Sequence, residues 1–174
     1  MLENFKVTLR KNELWFEKLI FMKKIIIILC IFFFDRITKI YLINLQASGQ
    51  DVDFYINPLV NIYLVWNTGI GFGLISLESN IFYHLLTFII FIINLALIFF
   101  LTKSKGSTTY LLTLIIGGSL GNLFDRMYYY AVPDFIDLHV GNFHWFIFNV
   151  ADIFITIGII GIIILELFKI KKNV

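Results

Sequence analysis

Four long apolar segments alternate with polar, aromatic-rich segments along the chain. The apolar segments cover residues 24–45, 81–102, 107–124 and 150–168. Each approaches the roughly 20 helical residues that cross a bilayer core. The uncharged run 25–34 is too short to span alone, so the first helix must continue through the charged stretch "DRITK". The pattern predicts four transmembrane helices.

The segments 46–80 and 125–149 are predicted as loops between these helices. In the first loop, apolar residues alternate with polar ones on both sides of Pro58, which favours two short edge strands joined by a turn. In the second loop, Pro133 pushes the residue before it towards an extended conformation, so Asp134 follows a helix break. Both loops are rich in aromatic residues, as expected at headgroup level.

The distribution of Lys and Arg predicts the orientation. Basic residues precede the first helix, fill the turn at Lys103 and Lys105, and follow the fourth helix, whereas residues 46–80 and 127–149 contain none. By the positive-inside rule, both termini are cytoplasmic and the two loops face outward.

Composition supports a membrane protein with one domain. Of the 174 residues, 59% are hydrophobic, against about 45–50% in soluble domains. No linker rich in Pro, Gly or Ser divides the chain. We therefore expect a single transmembrane domain at residues 24–170, with a cytoplasmic leader at 1–23 and a cytoplasmic tail at 171–174.

Charged and amide side chains gather at one depth, near the outer ends of the predicted helices. A charge inside a membrane costs about 2.5–3.5 kcal/mol on insertion scales, so such residues are functional candidates. They are Asp35, Arg36, Lys39, Asp125, Arg126, Asp134, Asp137 and Asp152, with Asn67, Asn122 and Asn149.

Spacing groups some of these residues on helix faces. Asp35 and Lys39 are four residues apart, and Asn122 precedes Asp125 and Arg126 by three and four residues. The acids and bases of each group can neutralise one another as local pairs, and both groups could serve only to fix helix register. Gly117 and Gly121 have the G-x-x-x-G spacing that permits close helix approach.

Asp134 and Asp152 remain as two carboxylates without a local base. If the fold brings them together, they will share a proton, which suits peptide hydrolysis. The ionised aspartate would take a proton from water, while the protonated one would polarise the scissile carbonyl and later protonate the leaving amine. A solvated Asp134 and a helix-capping Asp152 are the alternative, and Asn149 is also explained as an N-cap.

Other chemistries have weaker signals. His139 and His144 lie near Asp134 and Asp137, but H-E-x-x-H or comparable zinc spacing is absent from the sequence, so no metal cofactor is predicted. The sequence also has no evident Ser-His or Ser-Lys constellation and no phosphate-binding loop. Its basic residues flank the predicted membrane spans on the cytoplasmic side and do not form a nucleic-acid-binding surface.

Five motifs, in order, resemble those of the lipoprotein signal peptidases, also called signal peptidase II. They are "DRITK", "NTGIGFG", "GGSLGNLFDR", "VPDFID" and "FNVAD", and the resemblance extends over residues 24–169. It implies an all-α integral membrane protein of the bacterial cytoplasmic (inner) membrane, with four transmembrane helices, a small outer-face β-sheet cradle and a short outer-surface helical element. The active site would face the outer leaflet.

The resemblance also implies an aspartyl endopeptidase without a cofactor. Its catalytic pair would be Asp134 and Asp152. The residues that line or support the site would be Asn67, Gly118, Asn122, Asp125, Arg126, Asn149, Asp35 and Lys39. The substrate would be a diacylglyceryl-modified prolipoprotein, cut just before the modified cysteine, and globomycin-type peptides would inhibit the enzyme. We further expect a monomer that contacts membrane lipids and no nucleic acid.

The chain departs from the family pattern in two places. Small residues are more usual where "NTGIGFG" has Ile70 and Gly71, and a proline is common where this chain has "WFIFN". Both departures would alter the shape of the substrate groove and leave the acidic pair intact. The competing interpretation is a non-enzymatic four-helix transporter or assembly factor, which predicts polar residues spread through the bilayer depth.

Overall fold

The computed structural model of the chain describes residues 2–69 and 80–173, which contain four helices and one four-stranded sheet. The helices are α1 (Leu2–Ala47), α2 (Asn80–Lys103), α3 (Ser107–Tyr128) and α4 (Val150–Asn173). The strands are β1 (Asp53–Asn57), β2 (Val60–Asn67), β3 (Val132–Val140) and β4 (Phe143–Phe148).

All four predicted helices are present. The predicted leader belongs to the same helix as the first apolar segment, because α1 runs unbroken for 46 residues. At about 1.5 Å per residue, such a helix is more than twice as long as a bilayer core is thick. Part of α1 therefore extends beyond any membrane that it crosses.

Two of the described helices are long and apolar enough to cross a membrane by themselves. They are α2, at Ile81–Lys103, and α4, at Val150–Ile170, and few of their apolar side chains are buried inside the molecule. A core helix of a soluble protein would instead bury most of that surface. Membrane crossing by α1 and α3, which carry the buried charges, stays a prediction.

The antiparallel sheet has the strand order β1-β2-β3-β4. Strands β1 and β2 pair across the predicted turn at Pro58. Strands β3 and β4 come from the second loop, where the sequence pattern did not show them. The reason is that β3 is buried along most of its length, so polar and apolar residues do not alternate in it.

The short outer-surface helix is not among the elements that the structure describes. Ile70 and Gly71, the first departure from the family pattern, fall in residues 70–79 and so lie outside the described residues.

Close contacts hold α1 against α3, and an apolar cluster holds the sheet against α1 and the start of α4. A Cβ atom on Gly117 would lie 2.9 Å from Ile31 Cβ, and one on Gly121 would lie 2.7 Å from Asp35 Oδ2. The G-x-x-x-G prediction is therefore confirmed, because both glycines allow α1 to approach α3. An apolar cluster joins α1, the sheet and the start of α4, and its buried members are Leu42, Val52, Leu64, Phe135 and Val150.

Candidate active site

Asn149 links the two aspartates of the predicted pair. Its side-chain amide donates to Asp134 Oδ1 at 2.6 Å, and its backbone N–H donates to Asp152 Oδ2 at 3.1 Å. The backbone N–H of Asp152 in turn donates to Asn149 Oδ1 at 3.1 Å. Asn149 and Asp152 thus form a reciprocal cap at the start of α4. The N-cap prediction is confirmed, and the same residue brings the two carboxylates together.

The remaining oxygen of each carboxylate is held by a second asparagine. Asn67 Nδ2 donates to Asp134 Oδ2 at 2.8 Å, and Asn122 Nδ2 donates to Asp152 Oδ1 at 2.8 Å. The Asn67 side-chain oxygen accepts the Gly69 N–H at 2.9 Å, which fixes the orientation of the amide. Among the described residues, each of the four carboxylate oxygens therefore has one protein donor, and the pair is held in a single geometry.

Lys39 lies at the centre of a buried ion cluster next to this pair. Its side chain is 0% exposed. The ammonium donates to Asp35 Oδ2 at 2.8 Å, to Asn122 Oδ1 at 2.8 Å and to Asp125 Oδ2 at 2.7 Å. All three of its protons are used. Since Asn122 also binds Asp152, the polar contacts run without a break from the ion cluster to the acidic pair.

The structure confirms one predicted ion pair and corrects the other. Asp35 and Lys39 pair as expected. Asp125 does not pair with Arg126; it pairs with Lys39 and with Arg36, both on α1. Neighbouring residues on a helix point in different directions, so Arg126 turns away and its Nη2 donates to the Gly69 carbonyl at 2.5 Å.

Two residues fix the start of α4 beside α1 and α3. Asp35 Oδ1 accepts the backbone N–H of Ala151 at 2.9 Å, so a carboxylate satisfies a free amide at a helix N-terminus. A Cβ atom on Gly118 would lie 2.5 Å from the Ala151 carbonyl oxygen. Only glycine therefore allows α3 to lie this close to the turn that carries Asp152.

All the predicted supporting residues surround the two aspartates. Seven of them make the contacts described above, and Arg126 reaches the loop after Asn67 through Gly69.

The side chain of Asp134 is buried, since Asp134 is only 3% exposed. That burial, and then the negative charge of Asp152, raise the pKa of Asp134 from 3.8 to about 6, although hydrogen bonds from Asn67 and Asn149 oppose the change.

Some contacts at and near the site were not predicted. The sequence placed Arg36 at the depth of the site but indicated no partner for it. It gave no indication that Tyr83 contacts the site, where the Tyr83 hydroxyl donates to the Arg126 carbonyl at 2.9 Å. Asn94, in the middle of α2, donates to Ser119 Oγ at 2.8 Å. A single amide side chain within an apolar run is the sequence feature that could have predicted this contact between helices.

Comparison with known proteins agrees with this geometry. A family model described as signal peptidase (SPase) II matches residues 27–169. The chain belongs to the signal peptidase II family. It is 49% identical over 153 residues to the lipoprotein signal peptidase of Pelagibacter ubique (strain HTCC1062), covering 88% of this chain and 92% of that protein. It is 41% identical over 148 residues to the one of Anaplasma phagocytophilum (strain HZ), covering 83% and 92%.

Two solved structures of a bacterial membrane enzyme have a similar fold. The first has a TM-score of 0.70 and 31% identity, covering 87% of this chain and 90% of the other. The second has a TM-score of 0.66 and 33% identity, covering 83% and 92%. Signal peptidase II is an aspartic peptidase of the bacterial inner membrane that processes lipoproteins. The family and the peptidase activity that the five motifs predicted are thereby confirmed, and the transporter interpretation is set aside.

Proposed function

We propose that the chain cleaves diacylglyceryl-modified prolipoproteins immediately before the modified cysteine, with Asp134 and Asp152 as the catalytic pair. The observation that supports this assignment is the pair itself. Two largely buried carboxylates, one from β3 and one from α4, share hydrogen bonds with Asn149. Buried acids without a functional role would more often be neutralised by a basic partner, as Asp35 and Asp125 are.

The proposed mechanism needs one protonated and one ionised carboxyl group, and we give the proton to Asp134, whose pKa is raised by burial and by the nearby charge of Asp152. Asp134 carries the shared proton and donates a hydrogen bond to the scissile carbonyl, and ionised Asp152 takes a proton from the attacking water. Water oxygen bonds to the carbonyl carbon, giving a tetrahedral intermediate. When the C–N bond breaks, the proton of Asp134 passes to the leaving amine. Transfer of the proton from Asp152 back to Asp134 restores the pair.

The asparagines and Lys39 support this chemistry by holding the pair still. Asn67 and Asn149 fix both oxygens of Asp134, and Asn122 fixes the oxygen of Asp152 that faces the ion cluster. A base that does not have to reorient takes up the proton of water at a lower cost in free energy. Asn122 is itself oriented by Lys39.

The lipid on the substrate accounts for the position of the site. We propose that all four helices cross the membrane, with both termini in the cytoplasm and the sheet at the outer leaflet. Exposed aromatic residues on the sheet, including Trp66, Phe143 and Trp145, are typical of headgroup level. The acyl chains would stay in the bilayer and present the peptide bond at the depth of the acidic pair.

A cleavage assay with matched precursors tests this proposal. The purified enzyme should cut a diacylglyceryl-modified precursor at the bond before the modified cysteine, and a globomycin-type peptide should inhibit the cut. The same precursor without the lipid should be cut much more slowly, because its peptide bond is not held at the membrane surface. Mass spectrometry of both products identifies the peptide bond that is cleaved. Equal cleavage of the two precursors, or cleavage elsewhere, would contradict the proposal.

The pH dependence tests the role of Asp134. Because the pKa of Asp134 is raised to about 6, its protonated form persists below that pH and is lost above it. We expect kcat/KM to fall as the pH rises through about 6, approaching tenfold per pH unit. Melting curves over the same range serve as the control, since the fall must not come from unfolding. A constant kcat/KM between pH 5 and pH 8 would show that Asp134 is not the acid.

A further inference from the structure

A second cluster of ionisable side chains lies on the sheet, apart from the acidic pair. Asp137 and His139 are two residues apart on β3, so strand alternation places them on one face and Asp134 on the other. His144 is the cross-strand partner of His139 on β4. The three side chains therefore converge from two strands, although their spacing along the sequence is not that of a zinc motif.

The distances within this cluster suit a metal ion. His144 Nδ1 lies 2.7 Å from Asp137 Oδ2, and His139 Nδ1 lies 3.5 Å from the same oxygen. One possible ligand atom from each of the three residues lies within 4.8 Å of the others.

Unpartnered buried atoms point independently to a ligand. Asp137 is 1% exposed and His139 is 9% exposed. Among the residues that the structure describes, neither Asp137 Oδ1 nor His139 Nδ1 has a hydrogen-bond partner. A buried polar atom without a partner costs about 1–3 kcal/mol. Both atoms can offer a lone pair, so a cation bound by these two residues would remove that cost.

We propose that Asp137, His139 and His144 bind a divalent first-row transition metal ion, best represented by Zn²⁺. Two imidazoles and one carboxylate are typical zinc ligands, whereas Ca²⁺ and Mg²⁺ prefer oxygen ligands alone. Tetrahedral ligands about 2.0–2.2 Å from zinc lie roughly 3.4 Å apart, which is close to the His139–Asp137 distance. The shorter His144–Asp137 distance must open slightly, and His144 can move because its side chain is 56% exposed.

The ion would act on the sheet rather than on the reaction. It would join β3 to β4 next to the turn at Gly141, whose φ of 58° is one that glycine adopts without strain. The same β3 carries Asp134. The metal would therefore strengthen the hairpin that supports one member of the acidic pair, without touching either catalytic carboxylate.

Zinc binding to the full-length protein tests the site. The protein, free of any polyhistidine tag, is stripped with EDTA and titrated with Zn²⁺ against a chromophoric chelator. His144→Gln is the test variant because the residue is exposed and its replacement should leave the fold intact. His84→Gln is the matched control, since His84 is exposed and is the only other histidine of the three in the sequence.

We expect one Zn²⁺ per chain in the wild type and in His84→Gln, and binding at least about tenfold weaker in His144→Gln. Zn²⁺ should also raise the Tm of the first two proteins more than that of the third. Equal affinity of all three proteins, loss of binding in His84→Gln, or no binding to the wild type would overturn the proposal. The Asp137–His144 contact would then be a hydrogen bond within the hairpin. Neither readout depends on cleavage, so the result is separate from the test of the acidic pair.

Discussion

Replacement of either Asp134 or Asp152 by Asn should abolish cleavage of the lipidated precursor, lowering kcat by at least about 10³-fold. General acid and base catalysis contributes about 10²–10⁴-fold in enzymes, and each variant removes a group that must hold or accept a proton. Asparagine has nearly the same shape as aspartate. One carboxylate oxygen becomes an NH2 group, which cannot accept, so each variant loses one of the hydrogen bonds from Asn67, Asn122 or Asn149. Such a loss costs about 1 kcal/mol, and the fold should persist.

The stability of these variants is part of the expected result. Burial makes the ionised form of Asp134 unfavourable, so its raised pKa means that the folded state loses stability as the pH rises from 3.8 through about 6. Removing this charge should leave the Tm of Asp134→Asn at pH 8 no lower than that of the wild type. An inactive protein of undiminished stability is the signature of a catalytic residue.

Asp53→Asn is the matched control for this experiment. Asp53 lies on the same sheet but is exposed on β1. Its variant should cleave the precursor at the normal rate. Normal cleavage by Asp134→Asn or Asp152→Asn in the purified assay would remove that residue from the catalytic pair.

Lys39→Met should cause the largest loss of stability, with a free energy of unfolding about 3–5 kcal/mol lower. Methionine fills a similar volume but cannot neutralise Asp35 and Asp125, whose side chains are 0% exposed. The variant leaves buried negative charge without its ammonium partner. It should also lose activity, because Asn122 would no longer be oriented towards Asp152.

Lys169→Met provides a matched comparison at the other end of the molecule. Lys169 pairs with Glu166 at 2.6 Å, but both side chains are more than half exposed. Solvent screens such pairs, so we expect a change of less than about 1 kcal/mol. Thermal and SDS-induced unfolding in detergent micelles measure the stability of both variants. Equal effects of the two substitutions would show that the buried cluster does not stabilise the fold.

The sequence predicted the helices well because length and hydropathy determine them locally. It also predicted Asp35–Lys39, which requires only the helical period. The partner of Asp125 could not be predicted in the same way, because the choice between Arg126 and Arg36 depends on how α3 is rotated against α1. Strand β3 was missed for a different reason. A strand buried on both faces has no alternating pattern, so "VPDFIDLHV" resembled an aromatic loop.

The sequence identified the site residues because each of them belongs to a short motif, and the five motifs follow one another along the chain in the order found in the family. The cluster of Asp137, His139 and His144 had no such motif. It depends on cross-strand pairing and on a register shift between Leu138 and His139, neither of which has a local signal. Metal spacing in a linear sequence is informative mainly when the ligands share one helix or one loop.

The bond from Asp35 to the Ala151 N–H joins residues 116 positions apart, and so ties the first helix to the last. Asn149 and Asp152 lie at the start of α4, the last helix in chain order that the structure describes. During synthesis the acidic pair therefore cannot form until α4 has been made and has docked against α1. A chain that stops before α4 has Asp134 but lacks Asp152. With the proposed pair as the catalytic centre, the peptidase stays inactive until its first and fourth helices are joined.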